Sequence, residues 1–201
     1  MFGNGGYKER LIKELYEVKS SKRVYAKELS TDNGIPFLKV ANLLEKIQNG
    51  FCTPKTYISE ERYSELQRSG NVPTKGDILV TSRGTIGDCY IVKEEDRFYF
   101  QDGMISWLHP KKQCELLSEF TVSLFSTDAL VSEMNDVANK TTVLYISLDK
   151  LAGLHLICPD YTEQAAYLDF VRQTDKSKYA VHLTGSNLNL SRCPENTITH
   201  M

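Results

Sequence analysis

The side chains that could do chemistry in this chain are scattered carboxylates, cysteines and histidines, and spacing decides what they can do. A metal-dependent nuclease needs clustered carboxylates and a lysine beside the scissile phosphate. Asp77, Lys93, Glu94 and Glu95 come nearest to that set. Asp77, however, directly follows Gly76 at a strand entrance, where a turn carboxylate is routine, and Glu94-Glu95-Asp96 reads as a solvated hairpin turn. The five cysteines, Cys52, Cys89, Cys114, Cys158 and Cys193, contain no CxxC pair, and His109, His155, His182 and His200 stand singly. Structural zinc uses closely spaced ligand pairs, so this pattern predicts free thiols and no metal site.

Phosphate and nucleotide signatures are equally sparse. No GxxxxGK[ST] loop, GxSxG elbow or HExxH helix is present. The glycine-rich Phe2-Gly3-Asn4-Gly5-Gly6 has no strand before it, whereas a dinucleotide loop requires strand, turn and helix in that order. These residues describe a binder that carries no catalytic group or cofactor of its own.

The chain has 201 residues, 41% of them hydrophobic and 25% charged, enough to bury a core. That composition excludes a disordered chain, a collagen-like fibre and a coiled-coil rod. No apolar run approaches the about 20 residues that cross a bilayer. The opening MFGNGGYKER lacks the apolar stretch of a secretory signal, so a cytoplasmic protein with no membrane partner is expected. Formal net charge is −2, from 24 bases and 26 acids. Residues 1–60 hold ten bases against seven acids, leaving fourteen and nineteen for the rest. A weakly basic first third could face an anion, but composition alone is neutral about DNA.

The elements that must position these residues follow from periodicity. Leu11, Leu15 and Val18 predict a helix over residues 7–18, and Ile35 to Val40 a short extended run after the Asp32-Asn33-Gly34 turn. Ser59 caps a helix reaching about Gln67. The centre is β-rich: strands at 77–82, 86–92, 98–100 and 104–108, with Arg83-Gly84-Thr85 as a tight connection. Helices follow at 114–125 and 128–137, then a polar loop at 139–142 and a strand at 143–146. A helical turn after Ser147, a strand at 154–157 and a last helix from Glu163 complete the pattern. The fold class is α+β, a mixed globular body with a β-rich centre and flanking helices, followed by a C-terminal helix.

Four stretches in this order resemble the target recognition domain of type I restriction-modification specificity subunits. They are Gly34-Ile-Pro-Phe-Leu-Lys-Val-Ala-Asn42-Leu43, preceded by Lys19-Ser-Ser-Lys-Arg23; Lys75-Gly-Asp-Ile-Leu-Val-Thr-Ser-Arg-Gly-Thr-Ile-Gly87; Val143-Leu-Tyr-Ile-Ser-Leu-Asp-Lys-Leu151 with Leu156-Ile-Cys-Pro159; and Thr162-Glu163-Gln164, opening a helix through Asp175-Lys-Ser-Lys178. The second is the most specific. A plain structural reading stands beside it, in which Ile78, Val80 and Ile86 are core and the glycines serve corners.

The resemblance implies a non-catalytic subunit that reads half of a bipartite DNA sequence. On that reading residues 1–160 form the recognition domain, 161–181 begin a spacer helix and 182–201 are an irregular tail. S-adenosylmethionine, ATP and magnesium belong to the partners, which are methyltransferase (M) subunits and a restriction (R) subunit. Double-stranded DNA is the ligand, and two half-subunits could pair as a homodimer. Candidate DNA contacts are Lys19, Lys22, Arg23 and Lys39 in the basic third, then Lys55, Tyr57, Arg83, Gln101, Lys140, Thr141 and Thr142. Arginine can read guanine and glutamine adenine. Arg83 has a second reading, as a hydrogen-bonding residue internal to the fold. Two other functions remain open at this point: the product of a truncated or silent specificity cassette, and a stand-alone nuclease or methyltransferase.

Overall fold

The stretch expected as one helix over residues 7–18 is mostly extended. In a computed structural model, which describes residues 6–140 and 143–187, it forms β1 (Lys8–Leu11), a single helical turn α1 (Ile12–Leu15) and β2 (Tyr16–Ser20). The helical spacing serves only that turn, which buries Ile12 and Leu15 completely. On either side, β1 pairs antiparallel with β11 (His155–Cys158) and β2 with β8 (Ile105–Pro110). Those non-local partners outweigh a local propensity worth tenths of a kcal/mol per residue.

Contact density divides the chain into two units, residues 1–161 and 162–201. The first holds every strand among the described residues. Its largest sheet runs β2, β8, β5 (Ile78–Arg83), β10 (Leu144–Tyr145) and β9 (Asn139–Lys140), with β6 (Thr85–Ile91) also paired to β5. Every pairing in it is antiparallel. β5 is buried from Ile78 to Ser82, which explains its near-continuous apolar run. Gly84, at φ +84°, closes the β5–β6 hairpin.

A three-stranded sheet orders β4 (Tyr57–Ile58), β3 (Ile35–Leu38) and β7 (Tyr99–Phe100); β3 is antiparallel to β4 and parallel to β7. Strand periodicity sends its side chains to two apolar clusters. Phe98 and Phe100 join Leu38, Leu43, Leu79, Ile105 and Trp107, whereas Tyr99 joins Ile35, Phe37, Ile58, Tyr63 and Leu66. α2 (Val40–Asn49) contributes Leu43, and α3 (Glu60–Arg68) contributes Tyr63 and Leu66. The Ser59 hydroxyl accepts from the Arg62 amide, so α3 starts where its cap requires.

The expected helix over 114–125 begins later, as α4 (Ser118–Phe125); α5 (Asp128–Val137) and α6 (Leu148–Ala152) follow, capped by Thr127 and Ser147. In the second unit, α7 (Tyr161–Asn187) continues beyond residue 181, where an irregular tail was expected. Once nucleated, a helix gains a hydrogen bond with each added residue, and weak apolar patterning does not stop it. Residues 188–201 of the expected tail lie outside the described residues. No helix among the described residues is long and apolar enough to cross a membrane.

Candidate nucleic-acid interface

β2 and β5 both run antiparallel to β8, which lies between them. Their C-terminal ends, Ser20 and Arg83, therefore share one end of the large sheet with the N-terminal end of β8. At that end β8 stops and β10 takes over as the neighbour of β5. The Ile146 amide donates to the Ser82 carbonyl and the Gly84 amide to the Leu144 carbonyl, both at 3.0 Å. A small cavity of 80 Å³ lined by Ser20, Ser82, Gly103, Ser106 and Tyr145 joins the strand ends, and the Ser82 and Ser106 hydroxyls hydrogen-bond beneath it.

The Ser20–Arg23 segment is laced to residues 99–103. Ser20 Oγ accepts from the Gly103 amide at 3.2 Å, and Ser21 Oγ donates to the Phe100 carbonyl at 2.8 Å. The Lys22 amide donates to the Tyr99 hydroxyl at 2.8 Å, and Arg23 Nε donates to Asp102 Oδ2 at 2.9 Å. The Gln101 amide in turn donates to the Leu38 carbonyl at 2.9 Å, next to Lys39. The register that sets Tyr57 opposite Pro36 brings Lys55 to this same end of β3.

Lys22, Arg23, Lys39, Lys55, Arg83 and Gln101 are thus collected at neighbouring strand ends. Lys22, Lys39, Lys55 and Arg83 are exposed and have no ion pair among the described residues. The Arg83 guanidinium lies 6.0 Å from the Tyr145 ring centroid, at the outer limit of a cation–π contact. The β9–β10 hairpin adds the Lys140 backbone beside Leu144. Thr141 and Thr142 lie outside the described residues.

Two expected contacts behave differently. Lys19 Nζ sits 4.0 Å over the Trp107 ring and 3.2 Å from Glu17 Oε2, so its charge is already engaged. Tyr57 donates its hydroxyl to the Pro54 carbonyl at 3.0 Å, which turns it inward to its own loop.

The nearest approach to a nuclease set does not assemble. Asp77 is fully buried; its Oδ2 accepts from the Thr74 amide at 2.7 Å and from Trp107 Nε1 at 2.9 Å. Its Oδ1 lies 2.7 Å from His109 Nδ1, and Glu94 pairs with Lys75 at 3.3 Å. Among the described residues no three His, Cys, Asp or Glu side chains are placed to hold a metal ion. Asp77 is a structural carboxylate that fixes Thr74, Trp107 and His109. The sequence shows the turn role of Asp77 at Thr74 but not its Trp107 and His109 partners, nor Tyr99 and Asp102, the residues that set the basic segment. The only local signal for Asp102 was the Asp102-Gly103 turn.

The described residues thus form an α+β body with exposed cations gathered at adjoining strand ends. The chain belongs to the type I restriction modification DNA specificity domain family, whose model matches residues 4–187. It is 35% identical over 91 residues to a Haemophilus influenzae protein whose name assigns it as a type I restriction enzyme specificity subunit, S.HindORF215P; this covers 45% of the chain and 22% of that protein. Among solved structures it resembles a chain from a study of complex assembly and conformational transition of the type I R-M system, with TM-score 0.64 and 15% identity, covering 92% of this chain and 42% of that one. The HsdS subunit from Thermoanaerobacter tengcongensis gives TM-score 0.57 at 18% identity, over 87% of this chain and 39% of that one. The S subunit from M. genitalium gives 0.55 at 15%, over 88% and 41%. At such identities these likenesses establish the fold. The chain spans about two-fifths of the length of these structural relatives.

Proposed function

We propose that this chain is a single target recognition domain that reads one half of a bipartite double-stranded DNA sequence and directs M and R subunits to it in the cytoplasm. The observation that carries this reading is the collection of Lys22, Arg23, Lys39, Lys55, Arg83 and Gln101 at one set of strand ends in a member of the specificity-domain family. Compact ammonium groups suit phosphate oxygens, which position a protein on the duplex, and planar or amide side chains suit base edges, which specify sequence. S-adenosylmethionine, ATP and magnesium are assigned to the partner subunits, and two copies of the chain form the bipartite reader.

Net charge of −2 and the internal engagement of Lys19 and Arg23 leave the isolated chain few phosphate contacts. It is expected to bind duplex DNA more weakly than about 1 µM at physiological salt, with a shallow salt slope. Calorimetry on the isolated chain is expected to give no heat with S-adenosylmethionine or magnesium. The deciding experiment is co-purification with M subunits followed by mapping of methylated adenines. A defined methylated motif supports the reading; an assembled complex with no sequence bias overturns it.

A further inference from the structure

We infer that Arg23 reads a guanine base and that Asp102 is its positioning residue; this rests on the DNA-reading function proposed above. Asp102 Oδ2 accepts a hydrogen bond from Arg23 Nε at 2.9 Å, and no described residue hydrogen-bonds Nη1 or Nη2. The two terminal nitrogens are left as a planar fork of donors without a partner among the described residues. Guanine presents two acceptors, O6 and N7, on its major-groove edge at the spacing such a fork matches. The Arg23 side chain is 69% exposed and that of Asp102 only 21%, so the carboxylate backs the guanidinium rather than competing for the duplex.

Both ends of the pair are held before DNA arrives. On the Asp102 side, Gly103 adopts φ +68° and donates its amide to Ser20 Oγ. On the Arg23 side, Ser21 is bonded to the Phe100 carbonyl and the Lys22 amide to the Tyr99 hydroxyl. A long side chain fixed in this way loses little rotamer freedom on binding. Lys22, Lys39 and Lys55 carry point charges without a fork, and no carboxylate among the described residues orients their ammonium groups, which suits them to phosphates.

The test uses the chain assembled with M subunits and a panel of duplexes in which each base pair of the methylated motif is replaced in turn. The wild-type complex is expected to lose roughly 5- to 150-fold in affinity at one G·C pair that Arg23 reads. Arg23→Ala and Arg23→Lys should abolish discrimination at that pair and preserve it at the others. Asp102→Ala should weaken discrimination at the same pair, and the Arg23→Ala/Asp102→Ala double variant should match Arg23→Ala alone. If Arg23→Ala weakens every duplex equally and lowers the salt slope by about one, the residue is a phosphate contact; the inference fails while the DNA-reading function stands. If Arg23→Ala behaves as expected but Asp102→Ala does not, the positioning role is overturned. A wild-type complex indifferent to sequence removes both the inference and the function beneath it.

Discussion

The Tyr99 hydroxyl accepts from the amide of Lys22 at 2.8 Å and donates to the carbonyl of that same residue at 3.2 Å. One side chain thereby satisfies both backbone groups of a residue in the basic segment. Burial pushes the phenol up to about 12, so it remains a neutral donor across the working pH range. Tyr99→Phe keeps the ring in its apolar cluster and removes only the hydroxyl. It should cost about 1–3 kcal/mol in denaturant unfolding, the penalty for orphaning partly buried polar groups. A loss below a few tenths of a kcal/mol would show that water replaces the hydroxyl without cost.

Asp77 supports a different region. Trp107 is 2% exposed, and its indole nitrogen has this carboxylate as its partner. Asp77→Ala leaves that buried donor and the partly buried Thr74 amide without an acceptor, so about 2–6 kcal/mol should be lost at 1–3 kcal/mol per orphaned donor. Trp107 fluorescence through a denaturant titration reads this directly, since Trp107 is the one tryptophan in the chain.

Two glycines should respond unequally to alanine. At Gly84 an added Cβ meets open space, and only the φ of +84° resists it, at about 1–2 kcal/mol. At Gly34 the φ is +125°, and a Cβ would overlap the Ile58 carbonyl oxygen, the backbone of the neighbouring strand. Gly34→Ala should therefore exceed Gly84→Ala by at least about 1 kcal/mol, the lower bound for forced overpacking. Matched thermal melts of the two variants check the order.

The hydrogen bond that Glu133 accepts raises His155 above its ordinary 6.5, with His155 Nδ1 2.9 Å from Glu133 Oε1. The folded chain thus favours the imidazolium. Its stabilising contribution is complete below the unfolded value and is lost as pH rises through the raised folded one. The His155 side chain is half exposed and that of Glu133 one-third exposed, so the effect is small and screened by salt. In wild type minus Glu133→Gln, the difference in unfolding midpoint should be larger at pH about 5.5 than at about 8.5. An equal difference at both pH values would place the contribution elsewhere.

Caps and turns were the readable part of this chain because their causes are local. Ser59 and the helix turn after Ser147 needed only a hydroxyl and the following amides, and the β5–β6 hairpin needed only Gly84 between two apolar runs. Residues 8–20 could not be read that way. Their backbone is extended because strands more than eighty residues away pair with it, and a helical apolar spacing in the same stretch points to a different structure. The candidate contacts show the same division. Lys22, Arg23 and Arg83 were visible as cations in polar stretches, but Tyr99 and Asp102 act across a separation of almost eighty residues. Lys19 looked as available as Lys22 until Trp107 was seen to lie beneath it.

The first strand of the globular unit and its last are hydrogen-bonded neighbours, Lys8 opposite Cys158 and Leu11 opposite His155. The polypeptide consequently enters and leaves this body through a single doorway. A body built so can be spliced into, or exchanged within, a longer polypeptide while the flanking segments stay where they are. The whole module can then be traded with its internal wiring from Ser20 to Asp102 carried along intact.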